Sequence, residues 1–215
     1  MMFKDRRDAG RRLAVAVKAR LGEAENVTVL ALPRGGVVVA QEVARLLRSP
    51  LDVVVVRKIG APGVEELAVG AVGETGPPIL NDRLIESAGV SNAYLTRAID
   101  SARQEVRRRV ETYRTGSRPA VQGKTVVLVD DGIATGYTVE AGIVTLRSWQ
   151  AGPIVLAVPV APPEAVARFR GLVDDLVVLD SPAGFFAVGQ FYEDFTQVSD
   201  AEVKAALSEM SARAA

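Results

Sequence analysis

The chain has 215 residues, enough for one large domain or two small ones, and its 48% apolar and 24% charged residues exclude disordered and collagen-like classes. Lys plus Arg (26) equals Asp plus Glu (26), so no global charge favours nucleic acid or an anionic membrane as partner. There is no cysteine and no histidine, which removes disulfides, thiol nucleophiles, Ser-His catalysis and zinc sites built on Cys or His. Any metal must then be a hard ion held by oxygen, with Mg²⁺ the first candidate. No stretch approaches the roughly 18 apolar residues of a membrane span, and the basic start, Met1 to Arg12, has no apolar core of a leader. The expectation is a cytoplasmic protein.

Residues 5 to 21 place Ala9, Leu13, Ala16, Val17 and Leu21 on one helical face, with an exposed basic face opposite and Gly22 where a helix-ending glycine sits. Val27 to Leu32 is a short apolar run that enters Pro33-Arg34-Gly35-Gly36, and Val39, Val43, Leu46 and Leu47 then recur at helical spacing. That order is strand, glycine turn, helix. Leu51 to Val56 suits a second, parallel strand buried on both faces. The Gly- and Pro-dense stretch 59–81 predicts a loop with a small hairpin outside the core.

Ser91 reads as the N-cap of a long helix with Leu95, Ile99, Ala102, Val106, Val110 and Tyr113 on its apolar face. The arginines at 103, 107, 108 and 109 then form a solvated face. Thr125 to Asp130 is a further strand, followed by a loop and a helix carrying Val139, Ile143 and Leu146. Ile154 to Val158 and Leu176 to Leu179 are two more strands, separated by a helical piece with Val166 and Phe169. Alternation of this kind predicts an α/β fold, a doubly wound, mainly parallel sheet flanked by helices. The segment 182–200 holds four of the six phenylalanines, and an amphipathic helix through Val203, Leu207 and Met210 follows.

The chemistry concentrates at Val126-Val127-Leu128-Val129-Asp130-Asp131-Gly132-Ile133-Ala134-Thr135-Gly136-Tyr137-Thr138. In an open α/β sheet, ligands bind at the carboxyl ends of the strands, where these two acids lie. The glycines admit close backbone approach, and successive N–H groups at a helix N-terminus with threonine hydroxyls favour an anion such as a phosphate monoester. Two carboxylates repel a phosphate. They suit paired sugar hydroxyls, or support of a Mg²⁺ beside them.

This thirteen-residue segment resembles the phosphoribosyl-pyrophosphate (PRPP) signature of type I phosphoribosyltransferases. The resemblance implies that Asp130 and Asp131, both facing the cleft, contact the ribose hydroxyls and support the metal, without a dedicated protein cage. It implies that Gly132, Ile133, Ala134, Thr135, Gly136, Tyr137 and Thr138 wrap the 5′-phosphate. Arg34, Gly35 and Gly36 stand where the family grips pyrophosphate, often through a non-proline cis peptide, and Arg57 and Lys58 stand where it adds positive charge. Alone, Arg-Gly-Gly marks a turn, and Arg57-Lys58 a solvated strand end.

The likeness is closer still to uncharacterised bacterial phosphoribosyltransferase-like proteins sharing Pro-Arg-Gly-Gly, Arg-Lys-Ile-Gly-Ala-Pro and Val-Asp-Asp-Gly-Ile-Ala-Thr-Gly, and spans about residues 5 to 207. It implies a Mg²⁺-dependent enzyme that transfers the phosphoribosyl group of PRPP to a nitrogenous small-molecule acceptor, a nucleobase in most relatives, with a homodimer as the default assembly. One domain over 1–215 is expected, with a flexible insertion around 59–118 and a hood-like segment around 181–215. Arg97, Arg103 and Arg107 are candidates for closing over pyrophosphate, and Phe186, Phe191 and Tyr192 for stacking on the acceptor, against a plain core role for those rings. A non-catalytic PRPP sensor is the alternative from another class. A phosphoacceptor receiver domain leaves the Gly/Thr loop unexplained.

Overall fold

The computed structural model describes residues 1–22, 24–114 and 116–214, with backbone only at 65, 66, 213 and 214. Helix α1 (Arg6–Leu21) is capped by Asp5, whose carboxylate accepts the Asp8 N–H, and ends at Gly22 in the left-handed region at φ 63°. Strand β1 (Val27–Ala31) leads into helix α2 (Gly35–Leu47) and strand β2 (Leu51–Val53). A three-stranded antiparallel sheet follows, β3 (Arg57–Ala61), β4 (Val64–Val72) and β5 (Ile79–Leu80). Helices α3 (Asp82–Ser87) and α4 (Asn92–Tyr113) come next, and Ser91 caps α4 through the Tyr94 N–H. The chain then alternates β6 (Thr125–Val129), α5 (Tyr137–Ser148), β7 (Ile154–Val160), α6 (Pro163–Phe169) and β8 (Asp175–Asp180). A 3₁₀ turn (Val188–Phe191) and helix α7 (Asp200–Ala214) complete it.

The main sheet has the order β2-β1-β6-β7-β8, parallel throughout. Alternate residues of each strand feed opposite layers, as the two-residue repeat of a strand requires. Val29, Ala31, Val127 and Val129 pack against α1, α2 and α7, while Leu30, Val126 and Leu128 pack against α5 and α6. The doubly wound parallel sheet expected from the alternation is therefore present. No helix of the described residues is long and apolar enough to cross a membrane.

Two local expectations need correction. The second strand stops at Val53 rather than Val56. Val54 to Val56 are buried, and the Val54 N–H still reaches the Ala31 carbonyl of β1 at 2.9 Å, but pairing ends there, and the outward Val55 N–H of this edge strand goes to the Glu74 carboxylate at 2.9 Å. The 59–81 stretch is not outside the core either. Ile59, Val69 and Val72 are at most 2% exposed, and full burial of each such side chain is worth about 1.5–3 kcal/mol. The small sheet is packed between α4 and α5.

An internal ion pair fastens this insertion. Arg114 Nη1 donates to Glu74 Oε2 at 2.8 Å and Arg114 Nη2 to the Val53 carbonyl at 2.8 Å. Both side chains are under 10% exposed. The exit of β2, and with it the start of β3 at Arg57, is thus held from two sides.

Candidate active site

Strand β1 is followed by α2 on one face of the sheet, and the adjacent β6 by α5 on the other. Their loops diverge at the carboxyl edge and leave a crevice, the place where open α/β sheets bind ligands. Pro33 to Gly36 form one wall, with a cis peptide between Pro33 and Arg34, as expected from the resemblance. Asp130 to Gly136 form the other.

The two walls touch, which explains both glycines. A β-carbon at Gly35 would lie 1.9 Å from Asp131 Oδ2, and one at Gly36 would lie 2.9 Å from the Val129 carbonyl and 3.1 Å from Asp130 Oδ1. Only hydrogen in place of a side chain lets α2 start this close to the paired acids.

The two carboxylates differ sharply in environment. Asp131 Oδ2 accepts from Arg6 Nε at 2.7 Å, with the side chains only 15% and 10% exposed, and its backbone carbonyl accepts the Tyr192 hydroxyl at 2.6 Å. One oxygen of its carboxylate is therefore engaged by Arg6, an asymmetry with Asp130 that the sequence does not predict. Asp130 is half-buried, accepts the Asp131 N–H at 2.8 Å, and has no cation within ion-pair distance among the described residues. Loss of solvent, and then the neighbouring Asp131 charge, push its pKa well above the usual carboxylate range, while Lys58 acts in the opposite direction.

Beyond the acids, Ile133 donates its N–H to the Val160 carbonyl at 2.9 Å and so anchors the loop. No acceptor among the described residues takes the N–H groups from Ala134 to Val139. Gly136, at φ 80°, turns the chain into α5 without a side-chain cap. Ala134 and Thr135 are exposed, and Thr138 is half-buried. Uncapped N–H groups at a helix start attract a phosphate. Arg168 ties this loop to α6 by donating to the Thr135 carbonyl at 3.2 Å and by an ion pair with Glu140.

Positive charge gathers on the α2 side. Arg34 lies 3.7 Å from Asp200, which also accepts the Tyr113 hydroxyl at 2.5 Å. Arg57 and Lys58 are exposed and line a cleft of about 600 Å³ between β3 and α4, together with Arg97, Ser101 and Glu105. Arg97 thus joins them, whereas Arg103 and Arg107 are exposed and line no part of that cleft. Arg108 and Arg109 both bond Glu105, at 2.8 and 2.7 Å, and hold its carboxyl down to about 2.

The aromatic candidates divide. Phe191 and Tyr192 are at most 7% exposed and form a third apolar cluster with Phe3 and Val160, so their rings are core and offer no stacking face. Phe186 is 91% exposed. Its loop is ordered around Gln190, whose side-chain carbonyl accepts the Phe186 and Ala187 N–H groups at 2.9 and 3.1 Å.

Sequence reasoning missed Arg6. It reads as one of several surface arginines on α1, yet it bonds Asp131, donates to the Thr196 carbonyl at 2.8 Å and lies 3.8 Å from the centre of the Phe195 ring. Nearby Phe3 ties the 191–193 segment by two backbone bonds, Phe3 N–H to the Phe191 carbonyl and Glu193 N–H to the Phe3 carbonyl.

Residues 4–188 match the family model of the phosphoribosyl transferase domain. The chain belongs to that family. A curated protein of Mycobacterium tuberculosis H37Rv, provisionally named a phosphoribosyl transferase, is 49% identical over 207 residues, which are 96% of this chain and 46% of the relative. The chain thus spans about half the length of the curated relatives it matches. Among solved structures, TT1426 from Thermus thermophilus is 47% identical, covers 98% of this chain and 99% of its own, and superposes with a TM-score of 0.79. A hypothetical protein from Neisseria gonorrhoeae with bound ppGpp, at 12% identity and a TM-score of 0.51 over 97% and 98% of the two chains, shares the fold of this phosphoribosyl transferase domain.

Proposed function

We propose that the protein transfers the 5-phosphoribosyl group of PRPP to a nitrogen of a small acceptor, a nucleobase, and releases pyrophosphate. The observation that carries this reading is the meeting of the Arg34-Gly35-Gly36 turn with the Asp130-Asp131-Gly132 turn at the switch point of the sheet. One turn brings cation and helix start, the other an open carboxylate followed by a run of free N–H groups.

In this reading the N–H groups of residues 134 to 139, with Thr135 and Thr138, take the 5′-phosphate. Asp130 accepts from the ribose hydroxyls. Arg34 and the α2 start, with Arg57 and Lys58 opposite, take pyrophosphate. The acceptor nitrogen bonds to C1 as the C1–O bond to pyrophosphate breaks, the electron pair leaves with the oxygen, and the acceptor's N–H proton passes to solvent. Catalysis of this type rests on positioning and on charges placed at the leaving group.

The donor set also fits Mg²⁺ in a supporting way. Asp130 offers hard oxygen with no competing cation, while no group of three or more metal-ligating side chains occurs among the described residues. Ligand oxygens and water would then complete the coordination, the usual habit of this ion. When bound, Mg²⁺ supplies charge neutralisation at the leaving pyrophosphate. Phe186 is the exposed ring of the hood and the residue proposed to stack on the acceptor.

Titration calorimetry with PRPP, with and without Mg²⁺, followed by pyrophosphate release against a panel of bases, tests the assignment. Mg²⁺-dependent binding with release for one base is expected. Binding without release for any base would favour a PRPP sensor, and no binding would remove the reading.

A further inference from the structure

We infer that Arg6 is a positioning residue that engages Asp131 through Oδ2, so that of the two adjacent acids Asp130 carries the larger share of the contact with the sugar. The inference rests on the phosphoribosyl reading above and assigns separate work to two residues that sequence alone treats as equivalent.

Three observations support it. Arg6 and Asp131 are joined at 2.7 Å with both side chains at most 15% exposed, whereas no described cation pairs with Asp130. The bonded oxygen of Asp131 is the one that would lie 1.9 Å from a β-carbon on Gly35, so the pair is wedged beneath the start of α2. Arg6 in turn is held by the Thr196 carbonyl and the Phe195 ring, and Tyr192 holds the Asp131 backbone. One guanidinium therefore connects the pyrophosphate turn, the acidic turn and the hood.

The physical purpose follows from charge. Two free carboxylates side by side would repel a ligand that carries phosphate at both ends, and a half-buried second charge would also oppose ionisation of the first. Pairing with Arg6 offsets part of one charge where water is scarce. Asp131 is then fixed in the wall through Oδ2, and Asp130 offers the carboxylate without a paired cation.

Removal of Arg6 alone leaves Asp131 buried and uncompensated, which is strongly unfavourable, whereas removal of both charges is often tolerated. The experiment compares wild type, Asp130→Asn, Asp131→Asn, Arg6→Met and the double variant Arg6→Met/Asp131→Asn. Each is titrated with ribose 5-phosphate and with PRPP in the presence of Mg²⁺, and thermal melting is recorded for each. Asp130→Asn should weaken ribose 5-phosphate about ten- to a hundredfold, the usual effect of losing hydrogen bonds to a charged group, with little change in melting. Asp131→Asn should lower the melting temperature and weaken the ligand by about tenfold less. Measured well below each melting temperature, Arg6→Met should weaken the ligand and the double variant should bind more tightly than Arg6→Met, whereas a purely structural role would move the melting temperatures and leave these affinities alike.

Equal losses of affinity at 130 and 131, or a double variant no better than Arg6→Met, would overturn the inference. Should Arg6→Met fail to fold, the comparison of Asp130→Asn, Asp131→Asn and the double variant still decides it. A wild-type protein that binds neither ligand overturns the phosphoribosyl reading and this inference with it. Wild-type binding with the wrong ranking of variants overturns the inference alone.

Discussion

Gly35 and Asp131 are separated by 96 residues, yet the structure leaves less than a methyl group of space between them: a β-carbon on Gly35 would stand 1.9 Å from Asp131 Oδ2 and 2.8 Å from Arg6 Nε. Gly35→Ala must displace an ion pair that has nowhere to go. Overpacking costs about 1–3 kcal/mol, and disruption of a buried pair adds to it. Urea denaturation should show a loss of at least about 2 kcal/mol, with PRPP binding lost as well. Gly184→Ala, where nothing lies within 4 Å of the new carbon, is the control and should stay within about 0.5 kcal/mol of wild type. Equal stability of the two variants would refute the close packing of the two walls.

How much of this was legible in the sequence depends on the distance between cause and consequence. The Asp130 to Thr138 turn and the Arg34-Gly35-Gly36 turn are encoded locally, by a strand that ends, glycines that permit the turn and a helix that begins, and both lie where they were expected. The end of β2 was not legible, because the segment after Val54 is held by tertiary partners, among them Glu74, whose carboxylate takes the Val55 N–H from 19 positions away. The buried hairpin was hidden for a related reason. Its apolar residues are small and interrupted by Gly60, Gly63 and Gly70, and the helices that cover it come later in the chain. Arg6 is the extreme case, since its partner lies 125 positions downstream and nothing near Arg6 distinguishes it from Arg7 or Arg11.

Arg34 follows β1 beside the acidic turn, and Arg97 lines the cleft with Arg57 and Lys58. Arg34→Ala should reduce pyrophosphate affinity by about tenfold or more, the scale of a charge-assisted contact, and leave ribose 5-phosphate nearly unchanged. Arg97→Ala should act in the same direction more weakly, because its side chain reaches from the exposed face of α4. Competition titrations at two salt concentrations measure both. Equal losses for both ligands in Arg34→Ala would place Arg34 outside the pyrophosphate turn, and no effect of Arg97→Ala would remove α4 from the site.

Glu74 and Arg114 hold the exit of β2, and their pairing is the reason Arg57 and Lys58 emerge where they do. Glu74→Gln leaves the buried Arg114 charge with Asp52 alone, at 3.5 Å, as its counter-charge, and should cost up to about 3–5 kcal/mol, the scale of a broken buried pair. Glu74→Leu combined with Arg114→Met removes both charges of the pair and should cost less, the remainder being the cation that Asp52 loses. The double variant tests the positioning role. It should remain folded while its KM for PRPP rises, since the Val55 N–H and the Val53 carbonyl lose the partners that fix this segment. An unchanged KM would make the pair a matter of stability alone.

Tyr113 gives a pH-dependent test of the contact between α4 and α7. Burial, and then its hydrogen bond to Asp200, push its hydroxyl up to about 12, against about 10 in an unfolded chain. Between those values the folded protein retains a proton that the unfolded chain has lost. The stabilisation is therefore complete below about pH 10 and disappears as the pH rises through about 12. The stability difference between wild type and Tyr113→Phe should shrink across that window in paired urea titrations. A difference that stays constant would mean that the hydroxyl titrates alike in both states.

Phe186 and Phe191 are five residues apart and should fail in opposite ways. Phe191 is buried beside Phe3 and Tyr192, so Phe191→Ala should cost about 3–5 kcal/mol of stability. Phe186 is 91% exposed, so Phe186→Ala should leave stability within about 0.5 kcal/mol of wild type. Its effect belongs to the acceptor. Stacking of a ring on a base is worth about 1–3 kcal/mol, so the KM of the acceptor should rise about tenfold while the KM of PRPP stays level, and Phe186→Trp should preserve both. A Phe186→Ala enzyme with an unchanged acceptor KM would assign base recognition to another part of the hood and leave Phe186 a solvent-exposed ring with no role in the reaction.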